Sequence, residues 1–214
     1  VQPKRKVGIM GDSISTFDGA LCNPDYRPYY PGSDPNVTAN PSIAVNSKEK
    51  TYWYRLIYNY MKNGELDVNT SWSGTRVIHE VKTGRQSGKS IGAGFVDRAY
   101  DFVDPDIIVI HGGTNDHNQS TPVGEYTWDL PIGQGNLGNY RSAYIELIKM
   151  IQNRYEGVQI IIIICDNSFL WLIYASHAFY KGCLTCSVRA YKTNSVIFQK
   201  YIGKIFNQFV FAIC

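Results

Sequence analysis

Two uninterrupted apolar runs constrain the fold of this chain more than any other feature. Residues 106–110 read DIIVI and residues 158–165 read VQIIIIIC. A strand with one wet face would alternate polar and apolar residues, and neither run does so consistently. Both are short for a buried helix, and their β-branched content suits strands covered on both faces, as in a parallel sheet. A third run, 4–10, closes on Gly11-Asp12, and a brief fourth spans 66–69. Helical spacing appears between them. Residues 51–63 carry apolar or aromatic side chains at 53, 56, 57 and 60, with Gly64 as a stop, and 97–103 is a short candidate. Asn139 can cap a helix that runs to Tyr155 with apolar positions at 144, 147, 148 and 151. Residues 19–50 and 118–138 are rich in loop-forming residues and have no period. Strand and helix alternation predicts a three-layer α/β/α domain with a parallel sheet covered on both faces. A chain of 214 residues fits one such domain, 1–214.

Composition narrows the function class. Hydrophobic residues make up 44% and charged residues 18%, ordinary values for a globular protein that can bury a sizeable core. The formal net charge of +3 is too small to argue for a nucleic-acid partner. No apolar run reaches 18 residues, so no transmembrane segment is expected. The chain starts at Val1 without a visible signal peptide, which leaves the compartment open. Five irregularly spaced cysteines define no disulfide framework. Cys183-Leu-Thr-Cys186 is a lone pair without the further ligands a zinc site needs, so no metal and no cofactor are expected.

Charge is unevenly spread. Residues 1–166 hold all 18 acidic residues, whereas 167–214 hold five basic residues and no carboxylate. At the density of the first part, the last 48 residues would carry about five acidic side chains. Three of the five cysteines also fall there. The tail is therefore atypical, and poorer packing is expected in it, with a fifth parallel strand absent or displaced. Within it, 196–213 has the spacing of an amphipathic basic helix with Lys200 and Lys204. Such a helix would pack on the sheet or, as the alternative, lie on a membrane surface.

Ligands of open parallel sheets bind beyond the carboxyl ends of the strands. Three segments occupy those ends: Gly11-Asp12-Ser13, Ser73-Gly74-Thr75 and Gly113-Thr114-Asn115-Asp116. A serine in the first turn can present a nucleophilic hydroxyl. A glycine in the second lets backbone approach a ligand and offer its N–H. The Asn115 amide can supply another donor, with Asp12 and Asp116 as supporting residues in their turns. Each segment alone reads as an ordinary turn or cap. Their order, one after each of three successive strands, is what points to acyl transfer.

These blocks resemble the SGNH hydrolase superfamily, the GDSL-type esterases and lipases. Gly11-Asp12-Ser13-Ile14-Ser15 matches its first block, 69–74 (NTSWSG) its glycine block, and 113–116 (GTND) its Gly-x-Asn-Asp block. The similarity covers about residues 4–166. Tyr30-Pro31 and Thr51-Tyr52-Trp53 further resemble a branch of secreted or cell-envelope esterases of gut bacteria. The resemblance implies a flavodoxin-like parallel sheet, the SGNH hydrolase fold, and an acyl-enzyme mechanism on a small-molecule ester, acylated carbohydrates included. Ser13 would be the nucleophile, and the N–H groups of Ser13 and Gly74 with the Asn115 side chain would form the oxyanion hole.

The family also orients its histidine base with an Asp three residues earlier, near the C-terminus. No carboxylate follows Asp166, so that pair is missing. The tail reads as the product of a frame change near residue 167 or as a degenerate copy, with a genuinely divergent tail as the alternative. His117, close behind Asn115, and His177, beyond the last strand, are the candidates for a substitute base. His111 reads as a packed core residue and His79 as a loop residue. Two functional readings follow: an ester hydrolase impaired by the missing base, or a catalytically dead binding module using the same cleft. A flavodoxin-like nucleotide binder fits less well, because the first loop lacks a glycine-rich phosphate cradle.

Overall fold

The computed structural model describes residues 3–31 and 45–164, together with the backbone of 209–213. Its centre is a parallel sheet of five strands: β1 (Arg5–Gly11), β2 (Gly64–Asn69), β5 (Ile107–His111), β6 (Gln159–Ile164) and β7 (Phe209–Ile213). Their spatial order is β2-β1-β5-β6-β7, the flavodoxin-like arrangement. Two short antiparallel strands, β3 (Val81–Thr83) and β4 (Ser90–Gly92), form a separate ribbon before β5.

The period of two along each strand divides the core into two layers. Met10, Ile108, Ile110, Ile160 and Ile162 point to one face, where Leu147, Ile148 and Ile151 of the long helix cover them. That helix follows a five-residue helix, α2 (Thr114–Asn118), and runs as α3 from Tyr140 to Arg154. Val7, Ile9, Ile107, Val109 and Ile163 point to the other face and meet Trp53 and Ile57. This two-sided covering is why the strand sequences lack alternation.

Several local elements differ from the sequence expectation. The stretch expected to be a helix over 51–63 starts as one α-helical turn, α1 (Tyr52–Tyr54), capped by the Thr51 side chain, and then widens into a π-helical segment, Arg55–Tyr60. Its end shows the wider ring directly, because Met61 N–H donates to Leu56 O, five residues back. Helical spacing alone does not distinguish the two windings. Over 97–103 only a 3-10 turn, Val96–Arg98, forms. Asn139 occupies the N-cap of α3, but its side chain makes no capping bond. The first two helical N–H groups, of Tyr140 and Arg141, instead donate to the carbonyls of Pro122 and Val123 in the preceding loop.

The largest correction concerns the tail. The fifth parallel strand, expected to be absent or displaced, is present as β7 and pairs with β6 from Ile160↔Phe209 to Ile164↔Ile213. It uses the last residues of the segment read as an amphipathic helix. FVFAI is aromatic and β-branched, and pairing there satisfies backbone groups along β6. The expected packing of residues 167–208, the basic helix before β7 and the Cys183/Cys186 pair lie outside the described residues. Among the described residues, no helix is long and apolar enough to cross a membrane.

Candidate active site

In the order β2-β1-β5-β6-β7 the chain reverses direction across the sheet between β1 and β5, which opens a crevice at their carboxyl ends. The register places Gly11 opposite His111, so the turns that follow both strands emerge side by side. Ser13 begins a 3-10 turn, Ser13–Ser15, directly after β1. The turn is fixed at several atoms. The Asp12 carboxylate accepts from Ile14 N–H at 3.1 Å, and Ser13 O accepts from Thr16 Oγ1 at 2.7 Å. Ser15 O accepts from Asn69 Nδ2 at 2.8 Å, and Ser15 Oγ shares a hydrogen bond with Tyr52 Oη at 2.9 Å. The nucleophile candidate is half-buried, while Asp12 and Ser15 beneath it are buried. Burial raises the Asp12 carboxyl to about 6, against the stabilising Ile14 N–H.

The glycine loop lies against this turn. Trp72 N–H donates to Gly11 O at 3.1 Å, extending the β1–β2 contact past the end of both strands. Gly74 has φ +75°, a left-handed conformation that glycine adopts without the Cβ penalty. Arg98 holds the loop from below. It is fully buried and donates to Thr70 O, to Thr75 Oγ1 at 2.9 Å, and to Ala93 O at 2.9 Å. Its guanidinium also packs 5.0 Å from the Phe95 ring centroid.

The third element is the β5 exit. Gly112 passes so close to the Phe95 ring that a side chain there would overlap it. Helix α2 then presents Asn115, whose Nδ2 donates to Thr75 O at 2.9 Å. Asp116 does not merely close its own turn, because its buried Oδ2 accepts from Val77 N–H at 2.9 Å. Two consecutive residues of α2 thus bind the segment that follows Gly74. Burial raises the Asp116 carboxyl to about 7, with the Val77 N–H opposing.

The histidines separate clearly. His111 is buried at the end of β5, its ring edge-on to Tyr52 at 5.0 Å, and burial lowers its pKa to about 4. It is a core histidine, as its position suggests. His79 is exposed and pairs through Nδ1 with Asp97 Oδ1 at 2.5 Å, a partner the sequence did not signal. His117 is exposed on α2, two residues beyond Asn115. His177 lies outside the described residues.

Sequence reasoning did not single out Arg98 or Lys82, and it named Tyr52 only within a motif without a role; all three act here through distant backbone or side-chain atoms. Nothing at those positions departs from ordinary loop and helix composition. Asn69 stood inside the glycine block but carried no assigned role.

Comparison with known proteins places the chain in a family. The sequence profile of the GDSL-like lipase/acylhydrolase family matches residues 5–172. No curated protein matches the chain. A crystal structure assigned as a GDSL-like lipase from Bacteroides uniformis ATCC 8492 superposes with a TM-score of 0.66 at 27% identity, covering 84% of this chain and 81% of that one. A second, from Bacteroides ovatus ATCC 8483, gives 0.65 at 25% identity, covering 84% and 83%. A carbohydrate esterase shares the fold, with a TM-score of 0.51 at 14% identity over all of this chain and 60% of its own. Motif blocks, sheet order and profile converge: the chain belongs to the GDSL-like lipase/acylhydrolase family of the SGNH hydrolase superfamily.

Proposed function

We propose that the chain is a carboxylic-ester hydrolase of small acyl esters, acetylated carbohydrates included, with Ser13 as nucleophile. The supporting observation is the linkage of the three turns: Trp72 N–H to Gly11 O, and Asn115 Nδ2 to Thr75 O, beside the Ser13 turn. In the reaction, Ser13 Oγ adds to the ester carbonyl. The negative charge that develops on the carbonyl oxygen is met by the N–H groups of Ser13 and Gly74 and by the second amide hydrogen of Asn115, whose first is held by Thr75 O. Collapse of the tetrahedral species expels the alcohol and leaves an acyl-serine, which water then cleaves. Asp12 and Asp116 support this arrangement through Ile14 and Val77 without touching the substrate.

The base is the weak part of this machinery. Residues 167–214 hold no Asp or Glu to orient a histidine, and His117 and His177 are the candidates. Base assistance is worth about 10²–10⁴-fold. The expected behaviour is slow, Ser13-dependent hydrolysis of an activated aryl acetate and almost no turnover of unactivated esters. Asn115→Ala should cost about 10²-fold in kcat, the usual consequence of losing one oxyanion donor. Steady-state kinetics on 4-nitrophenyl acetate test this, with Ser13→Ala as the control. An unchanged rate in Ser13→Ala would overturn the hydrolase reading. Robust turnover of an unactivated ester would overturn the impaired base, and His117→Ala and His177→Ala would then locate it. The second reading, a binding module without turnover, draws on the same missing Asp-x-x-His pair. Retained ligand binding with no Ser13-dependent rate would establish it.

A further inference from the structure

The ribbon of β3 and β4 takes no part in the chemistry above, yet it delivers a cation to the glycine loop. Lys82 is the central residue of β3, paired with Ile91 of β4. Its neighbours Val81 and Thr83 are exposed, while Lys82 turns toward the body of the protein. Its Nζ donates to Gly74 O at 2.6 Å and lies 3.7 Å from the point a Cβ on Gly74 would occupy. Backbone geometry puts that point about 2.5 Å from the Gly74 nitrogen, so the ammonium stands within about 6 Å of the N–H assigned to the oxyanion.

The carboxylates around it also have other partners. Glu80 Oε2 is 3.8 Å from Lys82 Nζ, but its carboxylate is already bound by Arg76, through the backbone N–H at 2.6 Å and Nε at 3.3 Å. Asp97 is directed to the N–H groups of Glu80 and Gly94 and to His79. Lys82 is thus the cation in direct contact with Gly74. The loop conformation also needs an anchor. A glycine at φ +75° has more alternatives open than any other residue, and rotation of the Gly74–Thr75 peptide would re-aim the loop. Lys82 grips one carbonyl, of Gly74, and Asn115 the next, of Thr75.

We propose that Lys82 is a positioning residue of the oxyanion hole, which holds the Gly74 carbonyl so that Gly74 keeps the left-handed conformation that sets the direction of its N–H, and adds positive charge next to the developing oxyanion. The β3–β4 ribbon is then the device that carries this lysine to the site. The inference rests on the ester-hydrolase reading, so the experiment must separate the two. Phenylboronic acid serves as the probe: Ser13 Oγ adds to boron, its proton passes to solvent, and an anionic tetrahedral adduct forms where the oxyanion would sit. Its affinity is measured by calorimetry for the unaltered chain, Ser13→Ala, Lys82→Met and Lys82→Arg, beside kcat and KM on 4-nitrophenyl acetate and thermal melting.

Lys82→Met is expected to weaken boronate binding and to lower kcat by about tenfold each, with KM changed less than about twofold. Lys82→Arg keeps the donor and the charge and should recover most of both. Unaltered boronate affinity and kcat in Lys82→Met would overturn the proposal. So would equal losses in the Met and Arg variants that track a fall in melting temperature, since that marks a role in folding alone. Boronate binding that is absent, or that survives Ser13→Ala, would bring down the hydrolase reading and this inference with it.

Discussion

Replacing Arg98 by Met tests the account of the glycine loop most sharply. The guanidinium is fully buried and donates to four acceptors: Thr70 O, Thr75 Oγ1, Ala93 O and, at 3.3 Å, Gly94 O. Burial lowers its pKa, with Tyr26 and Asp101 opposing, so the site holds a charge at some cost in desolvation. Charged hydrogen bonds are worth about 1.5–3 kcal/mol each, but the four share one desolvated cation and their values do not add. Methionine has a similar length and returns that desolvation cost, yet it leaves several buried acceptors without a donor. The expected loss is therefore that of breaking a buried charge network, about 3–5 kcal/mol. For a chain of this size that corresponds to a fall of roughly 6–20 °C in melting temperature. Urea unfolding followed by tryptophan fluorescence and by far-UV circular dichroism gives the free energy. Arg98→Lys keeps the charge but cannot span Thr75 Oγ1 and Ala93 O together, so it should recover less than half of the loss. A loss below about 1 kcal/mol in the Met variant would refute the idea that Arg98 supports the loop.

Two further perturbations follow from the same geometry. Asp116 titrates near 7 in the folded chain, above its ordinary carboxyl value, so between the two the native state binds the proton more tightly and stability falls as pH rises from about 4 to about 7. Asp12, raised to about 6, acts in the same direction over the lower part of that window. Unfolding free energies at pH 4 to 8 for the unaltered chain and Asp116→Asn should therefore diverge with pH, by up to about 4 kcal/mol, and a pH-independent difference would contradict the buried carboxyl. Glycine replacements should separate space from conformation. Gly74→Ala meets nothing nearer than Lys82 Nζ at 3.7 Å and pays only for its positive φ, about 1–2 kcal/mol, whereas Gly112→Ala drives a methyl into the Phe95 ring and should cost more in the same unfolding assay.

The outline of the fold was legible in the sequence because burial on both faces leaves a local mark. DIIVI and VQIIIIIC can be satisfied only between two covering layers, and they fall at β5 and β6 within a residue or two. The site segments were legible for a related reason. In an open parallel sheet the chemistry sits where strands end, so locating the strands located Ser13, Gly74 and Asn115 as candidates. The expectation failed where a choice depends on partners distant in the chain. The π-helical winding of 55–60 does not follow from apolar spacing, and β7 forms because β6 offers it a row of backbone partners, whatever the amphipathic pattern of its own residues. The free cap of Asn139 was likewise taken over by the carbonyls of Pro122 and Val123.

The sequence by itself determined the layer architecture, the three turns and the lack of Asp and Glu in residues 167–214. Only the tertiary structure decided what holds those turns together. Arg98 reaches Thr70 and Thr75, Asn115 reaches back forty residues to Thr75, and Asn69 and Tyr52 clasp Ser15 across 54 and 37 residues. These bonds leave no local pattern, because a single polar residue in a loop looks the same whether it points to water or to a carbonyl across the sheet. Burial periodicity is a property of neighbours in the chain; a hydrogen bond between loops is a property of neighbours in space.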